Sequence, residues 1–225
     1  MHQPILNLMG IVIATGLLLM SAPGSANSQA QAMLIAAAER GDLAATKAAL
    51  ASGAILDGRD GRQRTALLAA VQGNHVEVAR LLIDAGADVN AKDAINDSPY
   101  LFAGARGHLD ILRLTLSHGA DLKSTNRFGG TALIPAAERG HVETVDTLIK
   151  AGVNVDHVNN LGWTALLEAI ILGNDGPRHT AIVKLLIDAG ANVNLADKDG
   201  VSPLQHARKA GYADMIRLLE SARAQ

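Results

Sequence analysis

One skeleton returns along this chain at a fixed interval: Thr or Ser, then x-Leu, a small pair, Gly-His about ten residues in, an apolar run, and Ala-Gly-Ala-Asp/Asn-Val-Asn. Counted from the Thr/Ser position, copies start at Ala32, Thr65, Ser98, Thr131, Thr164 and Ser202. The first five starts are 33 residues apart, and the last step is 38 because residues 174–178 are inserted. A repeat this short cannot bury an apolar face by itself. Its copies must therefore stack, each against its neighbours, into an all-α solenoid that presents a long surface instead of enclosing a pocket.

The copy at Thr65 shows how one unit works. Thr65 is placed to cap a first helix, on which Leu67, Ala70 and Val71 recur at helical spacing. Gly73 and Asn74 stop that helix, since both residue types tolerate the left-handed backbone that ends helices. A second helix is expected over about 75–84, with Val78, Leu81 and Leu82 facing inward. Gly86 closes it, and an extended hairpin leads out to a tip near 92–96. The small pairs Ala70/Val71, Ala103/Gly104 and Ala136/Ala137 let neighbouring helices approach closely.

These motifs resemble the ankyrin repeat over residues 32–225, most specifically in residues 65–90, in Ser98-Pro99-Tyr100-Leu101, in Thr131-Ala132-Leu133-Ile134 and in Ser202-Pro203-Leu204-Gln205. The resemblance implies an ankyrin stack of about six helix-loop-helix repeats joined by β-hairpin-like turns. One departure stands out. The histidine of the family's Thr-Pro-Leu-His is replaced by Leu68, Leu101, Ile134, Leu167 and Gln205, so stacking is expected to lean more on apolar contact. Ala32 replaces the capping residue of the first copy, and the polar Glu39, Arg40 and Lys47 at one end and Arg208, Lys209 and Arg217 at the other mark those copies as caps.

The first Asp, Glu, Lys or Arg is Glu39. Before it lie an apolar run from Ile11 to Met20, then Pro23 and the small residues Gly24, Ser25 and Ala26, the layout of a secretory signal peptide over residues 1–26. An uncleaved membrane anchor is the alternative, but the apolar stretch falls short of the roughly 20 residues of a spanning helix. The chain has no cysteine, hence no disulfide and no thiolate metal site. A soluble protein of the bacterial periplasm fits these features, with no stable membrane insertion after signal cleavage. With 20 basic and 22 acidic residues the net charge is −2, which gives no reason to expect nucleic acid as a partner.

Catalytic and metal-binding patterns dissolve on inspection. His75, His108 and His141 sit at the repeat spacing, about 10 Å apart in a stack, whereas ligands of one zinc ion lie about 2.1 Å from it. Asp197, Asp199 and Gly200 begin like a calcium loop, yet its twelfth position is Arg208 instead of Glu. No nucleophile elbow and no Gly-rich phosphate loop is present. The chain is expected to be a monomeric protein-binding module without a cofactor, and not an enzyme. A regulator or protector of a periplasmic enzyme and a secreted effector binding a host protein are the alternatives.

In ankyrin arrays the hairpin tips and the exposed side of the first helices form a concave face, and the resemblance implies that partners dock there. The tips carry Arg62 and Arg64, Ile95 and Asp97, Phe128 and Gly130, and Leu161 and Trp163 in successive copies. The first helices add Arg106, Glu138 with Arg139, and Ile171 with Leu172. The expected contact surface is therefore Ile95, Phe128, Leu161, Trp163, Ile171 and Leu172, ringed by Arg106, Glu138 and Arg139, with Phe128 and Trp163 on exposed tips. The arginines at the first tip read as solubilising. The insertion at 174–178 reads as a longer loop inside the fifth copy.

Overall fold

A computed structural model describes residues 23–224. Twelve α-helices are described and no strand: α1 (Pro23–Glu39), α2 (Leu43–Ala51), α3 (Ala66–Gln72), α4 (Val76–Asp84), α5 (Pro99–Arg106), α6 (Leu109–Ser117), α7 (Leu133–Glu138), α8 (Val142–Ala151), α9 (Ala165–Ile171), α10 (Pro177–Asp188), α11 (Pro203–Ala210) and α12 (Ala213–Ser221). The odd-numbered helices pack in succession as an inner layer, and the even-numbered ones as an outer layer. The expected signal peptide and its membrane-anchor alternative fall mainly on residues 1–22, outside the described residues. Among the described residues no helix is long and apolar enough to cross a membrane.

The capping residues do what the motif requires in four of the inner helices. The side chains of Thr65, Ser98, Thr164 and Ser202 accept the backbone N–H three residues on, and Ser202 forms a reciprocal capping box with Gln205. Ala32 has no such side chain, and α1 accordingly runs straight through it from Pro23. The fourth copy departs as well. Pro135 lacks the N–H that Ala69, Phe102, Glu168 and His206 donate to the capping residue's carbonyl. There Ile134 N–H bonds the Thr131 carbonyl at 3.3 Å, the Thr131 hydroxyl is buried without a partner, and α7 has 6 residues.

Apolar residues meet across copies as the periodicity demands. Leu67, Leu82, Leu112, Leu133, Leu148 and Leu186 are fully buried in one continuous core. Leu68, Leu101, Ile134 and Leu167, where the family's histidine would stand, are buried too. Gly104 shows why the small pairs matter, since a Cβ there would come within 2.7 Å of the Ala132 Cβ on the next copy. Tyr100, in a column otherwise filled by leucine, is completely buried with its hydroxyl unpartnered.

Polar side chains stitch the copies together. His75 Nε2 lies 3.1 Å from the Glu39 carbonyl, His108 Nδ1 3.0 Å from that of Val71, and His179 Nε2 2.9 Å from that of Glu138. Each thereby donates to the end of the preceding inner helix, and Tyr212 does the same to Gly173 at 3.3 Å. A Cβ on Gly41 or Gly107 would collide with the ring of His75 or His141, and both glycines have positive φ, so glycine meets two requirements at once.

The insertion divides between two tasks. Asn174 accepts the Gly176 N–H in a turn, while Pro177 and Arg178 form the first turn of α10, lengthening it to 12 residues; the inserted segment is thus partly helix and not only loop. Asp175 reaches across to α12, whose own N-cap residue Tyr212 offers no side-chain cap. Its carboxylate accepts the N–H groups of Asp214 and Met215, both at 3.3 Å. Capping of this kind is worth about 0.5–2 kcal/mol. Asp175→Ala is expected to destabilise the chain by about 1 kcal/mol in thermal or urea unfolding, with fraying concentrated in α12 by hydrogen exchange.

Candidate functional site

The concave side carries a groove of about 550 Å³ framed by α5, α7, α9 and the two tips at 126–130 and 159–161. Of the nine residues expected at the contact surface, Phe128, Leu161, Leu172, Arg106, Glu138 and Arg139 line it together. Phe128 is 53%, Leu161 52% and Leu172 51% exposed, an unusual state for large apolar side chains standing side by side. Ile95 is equally exposed on the preceding tip but lies outside the groove lining. Trp163 and Ile171 are half-buried and do not line it, so the expectation of an exposed Trp163 on the tip is not met.

The reason lies in the tip geometry, which is the same in five copies. Asp60, Asp93, Asn126, Asn159 and Asp197 each accept two backbone N–H groups, those of the residues two and four further on. This fixes the residue two on at the apex, where Phe128 and Leu161 stand. The residue four on is turned back against the helix start, where Trp163 and Arg64 stand. Arg64 accordingly is 5% exposed and donates to Asp60, Glu39 and Gln72, so it is a structural residue and not a solubilising one. Successive tips are also tied by backbone: Ala94 N–H donates to the Arg62 carbonyl at 3.0 Å and Asn160 N–H to that of Phe128 at 2.9 Å.

Arginines brace the rim. The Arg127 guanidinium sits 4.7 Å from the centre of the Phe128 ring and 3.6 Å from Asp97, holding the aromatic in place. Arg139 donates to the Ala105 carbonyl at 2.8 Å and lies 3.9 Å from Glu138. Arg106 stands over the Phe102 ring at 5.8 Å.

Glu168, on the groove lining, is a residue that sequence reading passed over. It is 5% exposed, and Asn159 Nδ2 donates to its Oε1 at 2.8 Å, so Asn159 holds the tip with one end of its amide and the acid with the other. Burial, reinforced by the nearby Glu138 carboxylate and only partly offset by Asn159 and Arg139, pushes the Glu168 carboxyl up to about 7. The signal available in the sequence was its column: the corresponding residues are Ala69, Phe102, Pro135 and His206, with nothing in common. His206, one copy on, is paired with Asp197 at 2.7 Å, and backbone N–H donation from Val201, joined by His206, holds that carboxylate below its usual range. Among the described residues no cluster of three or more metal-ligating side chains occurs.

A two-layer helical solenoid with an apolar groove on its concave side, presented by braced hairpin tips, defines a repeat protein built for surface recognition. The chain belongs to the ankyrin-repeat family: the family's sequence model, ankyrin repeats in 3 copies, matches residues 12–93 and 101–197, well over half of the chain. An ankyrin repeat domain from Acinetobacter baumannii AYE is 64% identical, with a TM-score of 0.83 over 85% of this chain and 98% of that one. The ankyrin repeat domain of Bcl-3, a member of the IkappaB protein family, is 30% identical with a TM-score of 0.76, covering 86% of each chain. The ankyrin repeat protein YahD of Escherichia coli (strain K12) is 44% identical over 57 residues, a match spanning 25% of this chain and 28% of that protein. Ankyrin repeats are protein-protein interaction modules and typically serve as non-catalytic scaffolds.

The raised Glu168 carboxyl has a definite consequence for stability. The folded state holds this proton more tightly than the unfolded chain, so the contribution of Glu168 to stability is fully present below about 4.5 and is lost as pH rises through about 7. Glu168→Gln is expected to raise the melting temperature at pH 8, by a free energy on the order of 1–3 kcal/mol, and to leave it nearly unchanged at pH 4.5. Calorimetry at the two pH values checks it.

Proposed function

We propose that this chain is a non-catalytic adaptor or scaffold of the bacterial periplasm that captures a protein partner along its concave groove. The observation that carries this reading is the contiguous exposure of Phe128, Leu161 and Leu172 on one wall, with Phe128 braced by Arg127 before any partner arrives. An anchor already held in its binding geometry loses little conformational entropy on association, and aromatic anchors commonly dominate interface energetics. The periplasmic setting rests on the sequence layout before Glu39. Cleavage after Ala26 would remove the first four residues of α1 and retain its buried Ala30 and Leu34.

A photoreactive residue at Phe128, crosslinked in live cells and followed by mass spectrometry, identifies the partner. Phe128→Ala and Leu161→Ala are expected to weaken its capture about thirtyfold or more, equivalent to about 2 kcal/mol, with little change in melting temperature. Glu77→Ala and Asp110→Ala, exposed in the first turns of α4 and α6, should change neither. Melting of the tip variants without a selective loss of capture would show that the tips serve stacking alone.

Export has its own measurement. N-terminal sequencing of the protein recovered from the periplasmic fraction is expected to begin at Asn27. Intact Met1 on membrane-bound material would contradict both the cleavage and the compartment.

A further inference from the structure

The groove holds three arginines and three acids, and their pairing is uneven. Arg127 is engaged by Asp97 and the Phe128 ring, Arg139 by Glu138 and the Ala105 carbonyl, and Arg106 lies against the Phe102 ring. Glu168 makes no ion pair among the described residues; its one hydrogen-bond donor is the neutral Asn159 amide. Nothing in the repeat pattern demands an acid here, since Ala69, Phe102, Pro135 and His206 fill the same column. A buried carboxyl with only a neutral hydrogen-bond donor, beside a second carboxylate at Glu138 and the apolar Phe128 and Leu161, favours an added cation over an added carboxylate at that point of the groove.

We infer that the groove takes an extended segment of a partner protein that places one lysine or arginine side chain on Glu168 and an adjacent apolar side chain against Phe128 and Leu161. This rests on the groove being the docking surface, and adds the chemistry of what docks. The charged groups that bear on Glu168 are Glu138 and Arg139 from α7. From α11, His206 is occupied by Asp197, and from α10, His179 is spent on the Glu138 carbonyl. The one fixed cation that bears on Glu168 is Arg139, which is shared with Glu138 and the Ala105 carbonyl and makes no ion pair with Glu168, so the Glu168 carboxylate is left for an incoming cation.

The test is selection of a random displayed peptide library on the full chain, run in parallel on Phe128→Ala and Glu168→Gln, with melting temperatures confirming that both variants fold. Clones that bind the wild-type chain and fail on Phe128→Ala are expected to be enriched in Lys or Arg beside an apolar residue, and selection on Glu168→Gln should keep the apolar preference and lose the basic one. Individual basic clones should bind about tenfold more weakly at pH 6 than at pH 8, because the ionised fraction of a carboxyl titrating near pH 7 falls by that factor, and should show no such drop on Glu168→Gln. Phe128-dependent clones without basic enrichment, or enriched in Asp and Glu, overturn this inference and leave the groove reading standing. A selection that yields no Phe128-dependent clone overturns both.

Discussion

Everything in this molecule depends on the contact between one repeat and the next. A pair of short helices exposes more apolar surface than it can cover, and α3 and α4 become stable only with α1 and α2 on one side and α5 and α6 on the other. That contact is mostly dispersion and hydrophobic burial, but its spacing is set by small residues. Gly104 brings α5 against Ala132 at a distance that no Cβ would allow. Histidines and Tyr212 then donate to carbonyls at the inner-helix ends, so the outer layer is hydrogen-bonded to the inner layer of the preceding copy. What the stack offers is a row of equivalent positions on its concave side, open to variation because packing does not constrain them.

The family, the order of the helices, most caps and most of the core were legible because each follows from one period applied to one chemistry, although Leu81, expected to face inward, is only partly buried and Ile83 is buried instead. Thr65, Ser98, Thr164 and Ser202 cap because a short oxygen-bearing side chain is present at the position where N–H groups are free. Much of the candidate groove was legible for the same reason, since the apex position of each tip is exposed whatever residue fills it. The period, however, assigns positions and not environments. Arg64 and Trp163 share a register that turns back toward the helix, and a reading that treated both tip residues alike placed them outside. Glu168 is not legible in the repeat pattern because its partner, Asn159, lies 9 residues away on the tip, and the same amide serves both the tip and the acid. Asp175 caps a helix in another copy, a contact between residues 39 and 40 positions apart that no local pattern displays.

Departures from the repeat rule gather in the middle copies. Pro135 removes a helix donor, shortens α7 and orphans the Thr131 hydroxyl, and Glu168 is a carboxyl set into a largely apolar wall. The Thr131 hydroxyl is costly by the standard of the other copies, where the capping hydroxyl is paired, and a buried carboxyl without a cation is costly where the same column elsewhere holds alanine, phenylalanine or proline. Violations of local consistency that cluster in space mark places where a structure has been shaped by something besides stability. Pro135 and Glu168 both border the groove.

The electrostatics of that groove centre on Glu168. A surface meant only to be solvated would have let Glu168 point outward, as Glu77 and Asp110 do on the outer helices. Instead Asn159 holds it beneath the rim, where burial and Glu138 keep it reluctant to ionise. An incoming cation would relieve that penalty, and an apolar side chain beside it would cover Phe128 and Leu161, so the two contributions reinforce each other in the bound state. Above about pH 7 the ionised Glu168 carboxylate lowers the stability of the free protein, and a ligand carrying the complementary charge would recover part of that penalty.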